Sequence, residues 1–345
     1  MPLTILNVGY PLAPVGPDVA GGAEQILSAL DRALVAAGHH SIVIGCAGST
    51  AFGTLIEEPP LADSFDDDTR ARAQQQRRRT IDRALSSWSI DLIHMHGLEF
   101  HSYLPEPGVP VLATLHLPLD WYASAALHPK RPQTYLQCVS ASQRRRGSSD
   151  LDFLADIENG VPVEALRSAY MKRDFVLTLG RICPEKGFHF AIDAARIVGL
   201  PIFVAGSIYP YRDHQRYFDE QIAPRLGPRA RFLGQVNFNR KRRLLGAARC
   251  LLVPSLVAET SSLVAMEALA CGTPVIAFPS GALPEIVEHG VTGFLVNDTD
   301  EMAAAMMELG RLDPAICRAR AEERFSEARM TERYLNLYQS LVGSP

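Results

Sequence analysis

The chain has 345 residues, 47% hydrophobic and 21% charged, with a formal net charge of -4. That length suits about two domains, each able to hold its own core, and the slightly acidic balance argues against nucleic acid as the main partner, although local basic clusters occur. No run reaches the ~20 apolar residues of a membrane span, MPLTILNVGY reads as a strand and not a signal sequence, and the six cysteines include no CxxC pair, so a soluble, cytoplasmic protein with reduced thiols is expected.

Residues 3–9 read as a first strand, followed by a Pro- and Gly-rich loop from Tyr10 to Gly22 and a helix from Ala23 to Gly38. This strand-loop-helix unit lacks the GxGxxG spacing of a dinucleotide fold, which removes the main support for a nicotinamide enzyme. A strand follows at 41–46, and the segment Ala47–Phe65 shows no period that assigns it. Residues 66–87 read as a helix with Arg70, Arg72, Arg77, Arg78, Arg79 and Arg83, the acids Asp66, Asp67 and Asp68 suiting its N-terminus. A solvated basic face is the expectation, and a surface for a membrane or an anionic ligand is the alternative. Asp91–Gly97 is a buried strand ending in His94 and His96, and Val111–His116 is another ending in His116. No acid with ligand spacing accompanies these histidines, so no metal is expected there, and His94 and His96 are expected to satisfy backbone groups. Arg144, Arg145 and Arg146 read as solvated. Cys138–Ser140 and Asn159–Pro162 close the first half, with a boundary near 163–172.

Phe175–Leu179 is a strand that delivers Arg181 at its carboxyl end, and Pro184 is expected to start a helix whose first turn holds Lys186. A planar fork beside a point charge can hold a diphosphate and offset charge developing on it. Strands at 201–205 and 231–236 precede the basic run Arg240–Arg243. The apolar run Cys250–Val253, closed by Pro254, reads as a buried strand; Ser261 or Ser262 then caps a helix that Gly272 and Pro274 end. Leu263, Val264, Ala265, Met266, Ala268, Leu269 and Ala270 leave that helix no polar face, so protein must enclose it. Glu267 is the exception, and Glu259 stands just before the helix, where parallel strands open into a ligand crevice. The amides of residues 262–264 suit a phosphate, whereas carboxylates beside them suit sugar hydroxyls, each such bond being worth roughly 1.5–3 kcal/mol. The alternative is a salt-bridged core Glu267 and a solvated Glu259. Pro279–Ala282 reads as a loop, Gly290–Val296 as a hairpin-like segment, and 314–342 as a helix with an apolar stripe of Phe325, Met330, Tyr334, Leu337, Tyr338 and Leu341, for which a membrane helix is one reading.

Glu259 and Glu267, followed by ALACGTPVIAF and GALPEIVEHGVTGFLV, resemble the signature of the family 4 glycosyltransferases, and the resemblance runs from Gly21-Gly22 to the terminal helix. It implies the GT-B fold: two Rossmann-like doubly wound parallel-sheet domains facing across a cleft. Residues 1–165, completed by a C-terminal helix at about 322–345 that crosses back, would form the acceptor-side domain, and 166–321 the nucleotide-sugar domain. By the same resemblance Gly21 and Gly22 let backbone approach the donor phosphates or the acceptor, His116 faces the donor sugar, Arg181 and Lys186 bind the pyrophosphate, backbone near Val236 meets the base, and Lys241 lies near the nucleotide. Glu259, Ser262, Leu263, Val264 and Glu267 complete the donor site, and Pro279–Ala282 lies under it; for the unassigned Ala47–Phe65, lining the acceptor site is one open reading. The implied catalytic set is His116, Glu259, Arg181 and Lys186. At Ser262 many members carry glycine. The family transfers with retention, the acceptor hydroxyl attacking on the leaving-group side and passing its proton to the departing phosphate, with no metal or other cofactor required. UDP-glucose is the favoured donor, ahead of a UDP-aminosugar or GDP-mannose. The favoured acceptor is a small molecule, as in members that glucosylate pterins or act in antibiotic pathways, with lipid and polysaccharide acceptors behind it and peripheral membrane contact not favoured. A nucleotide-sugar-binding protein without turnover is the alternative from another class.

Overall fold

The computed structural model describes residues 2–59, 67–167 and 169–343. It divides into two compact units, Met1–Asn159 with Ala328–Pro345, and Gly160–Glu327. The divides expected at 165/166 and 321/322 therefore both fall inside the second unit. There Val161 and Ser326 form a parallel bridge: the Val161 amide donates to the Phe325 carbonyl at 2.8 Å and the Glu327 amide to the Val161 carbonyl at 2.9 Å.

In the first unit, β1 (Thr4–Val8), β2 (His40–Cys46), β3 (Thr54–Glu58), β4 (Leu92–Met95), β5 (Val111–Leu115), β6 (Thr134–Cys138) and β7 (Phe153–Leu154) form one parallel sheet in the order β3-β2-β1-β4-β5-β6-β7. The chain starts mid-sheet, winds out to β3, and returns beside β1 to run the other way, so strand order reverses between β1 and β4. Because both faces are covered, the strands are apolar almost throughout. Leu6, Val8, Ile93, Met95, Val111 and Ala113 share one core, while Val43 meets Leu27 of the helix Gly22–Ala36 in another. The unassigned Ala47–Phe65 contributes β3, the edge strand, in register from Ile42 opposite Thr54 to Cys46 opposite Glu58; the rest of that stretch from residue 60, and Asp66, lie outside the described residues.

The arginine-rich helix, Asp67–Ser87, departs from a wholly solvated reading. Arg72, Arg79 and Arg83 are exposed, but Arg77 is fully buried. Its Nε lies 3.0 Å from Glu58 Oε2, and its Nη1 donates to the carbonyls of Gly9 and, at 3.2 Å, Ile44. One arginine of this face is thus a bolt between the helix and the carboxyl ends of β1, β2 and β3.

The expected single helix over 314–342 is two, Pro314–Arg324 and Glu327–Val342, broken where Phe325 and Ser326 give their backbone to Val161. The second helix lays its stripe on the first unit's sheet. Tyr334 donates to Gln137 Oε1 at 2.7 Å, the Tyr338 hydroxyl lies 2.7 Å from His94 Nδ1, and both rings are fully buried. That docking replaces the membrane reading, and among the described residues no helix is long and apolar enough to cross a membrane.

The second unit repeats the plan with β8 (Val176–Leu179), β9 (Ile202–Ala205), β10 (Ala230–Phe232), β11 (Leu251–Val253), β12 (Val275–Ala277) and β13 (Gly293–Leu295), all parallel, in the order β10-β9-β8-β11-β12-β13. Alternation divides the core: Leu177, Leu179, Leu251 and Val253 face one side, Val176, Val204, Leu252 and Ile276 the other. The helix Leu263–Ala270 is enclosed as its composition requires, with Pro314–Arg324 packed along it. The hairpin-like reading of Gly290–Val296 is corrected: a turn closes where the Gly290 amide donates to the Gly293 carbonyl at 2.8 Å, but β13 then pairs parallel to β12. Both sheets are doubly wound, as the resemblance implies.

Candidate functional site

In the second unit strand order reverses between β8 and β11, and at such a reversal the carboxyl ends of the two strands open into a crevice. The loop after β8 carries Arg181 and Lys186. Lys186 closes a 3-10 turn, Pro184–Lys186, and does not sit in the first turn of the following helix, because Gly187 intervenes with φ +61°. Glycine is required there: a Cβ would stand 2.3 Å from the Pro254 carbonyl oxygen. The same close approach lets the Leu256 amide donate to the Glu185 carbonyl at 2.8 Å, so the loops after β8 and β11 are fastened side by side.

Fastening them brings Lys186 to Glu259. Lys186 Nζ lies 2.6 Å from Glu259 Oε1, and the Ser255 hydroxyl donates to the same oxygen. Glu259 is buried, which removes its reading as a solvated loop acid. Its backbone is held from behind by the Pro279–Ala282 loop, where the Ala282 amide donates to the Glu259 carbonyl at 2.7 Å. Gly281, at φ +62°, would put a Cβ 2.2 Å from that carbonyl oxygen. Gly281→Ala is therefore expected to displace Glu259 and lower turnover about 100-fold, the scale of a ~1 Å misplacement. Steady-state kinetics beside a melting curve checks this, and an unchanged kcat would show that the carboxylate's position is immaterial.

Glu267 also has a partner. It is buried on the enclosed helix and accepts from Lys241 Nζ, which reaches in from the helix Phe238–Ala247. The pairing is the salt-bridged reading of Glu267, and it distinguishes Lys241 from the rest of its basic run. Val236 packs against the same core. Ser262 stands at the N-cap position of the helix but makes no side-chain cap, and Leu263 and Val264 form the first turn, half-buried. Arg181 lies with its guanidinium carbon 5.8 Å from the Tyr209 ring centre. Sequence reasoning missed Ser255, whose only signal is a hydroxyl four residues before Glu259, and Tyr209.

Gly21, Gly22 and His116 belong to the other unit. Gly21 is the N-cap of the helix Gly22–Ala36, and a Cβ on it would lie 1.8 Å from Glu24 Oε2. A group reaching this backbone meets a carboxylate, which suits a hydroxyl better than a phosphate. At the ends of β4 and β5 the histidines satisfy side chains, not the backbone groups expected. His94 Nε2 lies 2.7 Å from Thr114 Oγ1, whose hydroxyl donates to Gln137 at 3.0 Å. Thr114 therefore accepts from His94 Nε2–H, and His94 Nδ1 accepts from Tyr338, which fixes a neutral tautomer. His96 Nδ1 lies 3.0 Å from His116 Nε2 with the rings stacked.

Burial holds His94 and His96 well below the usual histidine range and lowers His116 to about 4. The folded state keeps all three neutral, whereas the unfolded chain takes up protons below about pH 6.5. Stability is thus complete above that pH and is lost as pH falls toward 4, by up to about 1.4 kcal/mol per pH unit for each ring. Urea titrations at pH 7.5, 6.5 and 5.5 should show this decline, reduced in His116→Asn.

Two family models match the chain, Glycosyltransferase Family 4 over residues 20–146 and Glycosyl transferases group 1 over residues 173–311. A phosphatidyl-myo-inositol mannosyltransferase of Mycobacterium leprae is 30% identical over 299 residues, covering 76% of this chain and 77% of that protein. A D-inositol 3-phosphate glycosyltransferase of Mycobacterium marinum is 36% identical over 182 residues, and the match spans only 38% of its length. Among solved structures, AviGT4, a glycosyltransferase involved in avilamycin A biosynthesis, shares 24% identity at a TM-score of 0.73 over 100% of this chain and 99% of its own. Anabaena HepE in complex with UDP-glucose shares 19% at 0.75 over 98% and 100%. Two doubly wound units, each under its own half of the family's models, and a relative that aligns across both make this chain a family 4 glycosyltransferase of the GT-B fold.

Proposed function

We propose that the chain transfers glucose from UDP-glucose to a hydroxyl of a small-molecule acceptor, with pterins among the acceptors to screen, and retains anomeric configuration. The observation that carries this is the Lys186–Glu259 ion pair at the reversal between β8 and β11. A diphosphate that takes Lys186 and Arg181 leaves Glu259 held by Ser255 with an oxygen open to a sugar hydroxyl, so one event seats the leaving group and orients the sugar. The acceptor oxygen then bonds to the anomeric carbon as the bond to phosphate breaks on the same face, and the acceptor proton passes to the departing phosphate oxygen. Two cations offset the charge that develops there, so this reading assigns the transfer no metal. His116 is assigned to the donor sugar and Lys241, with backbone near Val236, to the nucleotide.

The small-molecule acceptor is supported by the full-length fold match to a glycosyltransferase involved in avilamycin A biosynthesis, and UDP-glucose by the fold neighbour solved with it. GDP-mannose transfer to a lipid is the second reading, favoured by the mannosyltransferase relative. A cytoplasmic setting accords with six unpaired cysteines. A thermal-shift panel of UDP, GDP, ADP, NAD and their sugar conjugates separates the readings, since a ligand at 100 times its Kd adds about 2.7 kcal/mol. A selective UDP shift is expected; a GDP shift overturns the donor, and binding without turnover on any acceptor favours the inactive binding protein.

A further inference from the structure

The loop that carries Arg181 and Lys186 holds a second set of side chains that transfer does not use. Cys183 lies just before the Pro184–Lys186 turn, Glu185 sits within it, and His214 comes from the helix Arg212–Tyr217. The thiol sulfur, a carboxylate oxygen and an imidazole nitrogen all lie within 4.8 Å of one another. Among the described residues this is the one such group of metal-ligating side chains. Cys183 and His214 are buried, and His214 Nδ1 has no hydrogen-bond partner among the described residues. Buried polar nitrogens are seldom left so, and a ligand at this point removes the deficit. The Tyr211 ring meets His214 edge-on at 5.0 Å, with Tyr209 at 6.2 Å, so the imidazole is oriented by packing.

We propose that Cys183, Glu185 and His214 bind a divalent transition metal, zinc by preference, as a clamp that fastens the Arg181–Lys186 loop to the helix Arg212–Tyr217. A mixed sulfur, nitrogen and oxygen set selects zinc over magnesium or calcium, and three protein ligands leave one position for water. Zinc–ligand bonds of about 2.0–2.3 Å set tetrahedral ligand atoms roughly 3.3–3.8 Å apart, so the cluster closes by a contraction of about 1.5 Å at most. Arg181 faces both Cys183 and His214 and opposes a lone cation. A thiolate and a carboxylate offset it, since together they neutralise the ion. Burial pushes the Cys183 thiol up to about 11, so binding breaks its S–H bond, forms the sulfur–metal bond and releases the proton to solvent. The clamp is independent of which nucleotide-sugar the enzyme takes.

Cobalt reports the site directly. Full-length protein stripped with chelator and titrated with Co2+ should take up one equivalent, with tetrahedral d–d bands and a thiolate-to-cobalt charge-transfer band that Zn2+ abolishes. Cys183→Ser should lose the charge-transfer band, and His214→Ala should weaken Zn2+ binding at least about 100-fold, the upper end of what loss of an outer-shell partner costs. Circular dichroism of both variants controls for folding, and the wild-type titration stands whether or not they fold. Absence of stoichiometric uptake by the wild type, or an unchanged charge-transfer band in a folded Cys183→Ser, overturns the clamp.

Discussion

Lys186→Ala is expected to lower kcat/KM for the nucleotide-sugar about 10²–10³-fold, the loss that follows removal of one preorganised charge-stabilising donor. Nucleotide affinity should fall as well, because in the proposed site the same ammonium holds the diphosphate before and during bond breaking. Glu259→Ala should behave differently. In the proposed site its carboxylate addresses the sugar, so the loss should fall on kcat while nucleotide affinity stays near that of the wild type. The two residues touch at 2.6 Å, and each variant also strips the other of a partner; melting curves therefore accompany the kinetics. With only Ser255 left, Glu259 in Lys186→Ala is a buried acid without its cation, and some thermal stability should go with it. Lys186→Arg is a stricter probe. It keeps the charge but replaces a point donor by a planar fork, so partial activity separates the need for charge from the need for shape. Wild-type kcat/KM and UDP affinity in both alanine variants would remove Lys186 and Glu259 from the site.

Much of this is legible in the sequence, and the reason differs from residue to residue. The strands holding Leu6, Ile93, Leu112, Leu177 and Leu252 announce themselves because a sheet covered on both faces needs nearly unbroken apolar runs. Glu267 stands out because it is the one acid on a helix with no polar face. What stayed hidden depends on contacts between distant segments. Nothing in Thr54–Glu58 distinguishes an edge strand from a loop, since its neighbour, not its own pattern, makes it a strand. The break at Phe325–Ser326 is invisible because apolar spacing continues across it, while its cause, Val161, lies far away in sequence. The sequence puts Lys186 in a helical turn opened by Pro184, and the structure has that turn; what the sequence hides is that it is a single 3-10 turn, cut off by the left-handed Gly187 that the approach of Pro254 dictates.

Arg77 is the sharpest case of a residue whose neighbours in sequence misrepresent it, and it carries the largest stability prediction. Arg77→Met should cost about 3–5 kcal/mol, the range for breaking a buried ion pair by deleting one partner. Three acceptors lose their donor at once: Glu58, itself buried, and the carbonyls of Gly9 and Ile44. Arg77→Lys should recover little, because one ammonium cannot reproduce a fork that serves a carboxylate and two carbonyls on different strands. The double variant Arg77→Met/Glu58→Leu should recover much of the loss, since replacing the whole pair by apolar groups leaves no unpaired charge behind. Urea unfolding of Arg77→Met, Glu58→Leu and the double variant closes the cycle. A cost below about 1 kcal/mol for Arg77→Met would place the guanidinium among the weak pairs of an exposed surface. The effect should also reach the proposed site, because Gly9 directly follows β1 and begins the loop that leads to Gly21 and Gly22. Loosening its carbonyl should raise the exchange rate of that loop's amides before the sheet itself opens.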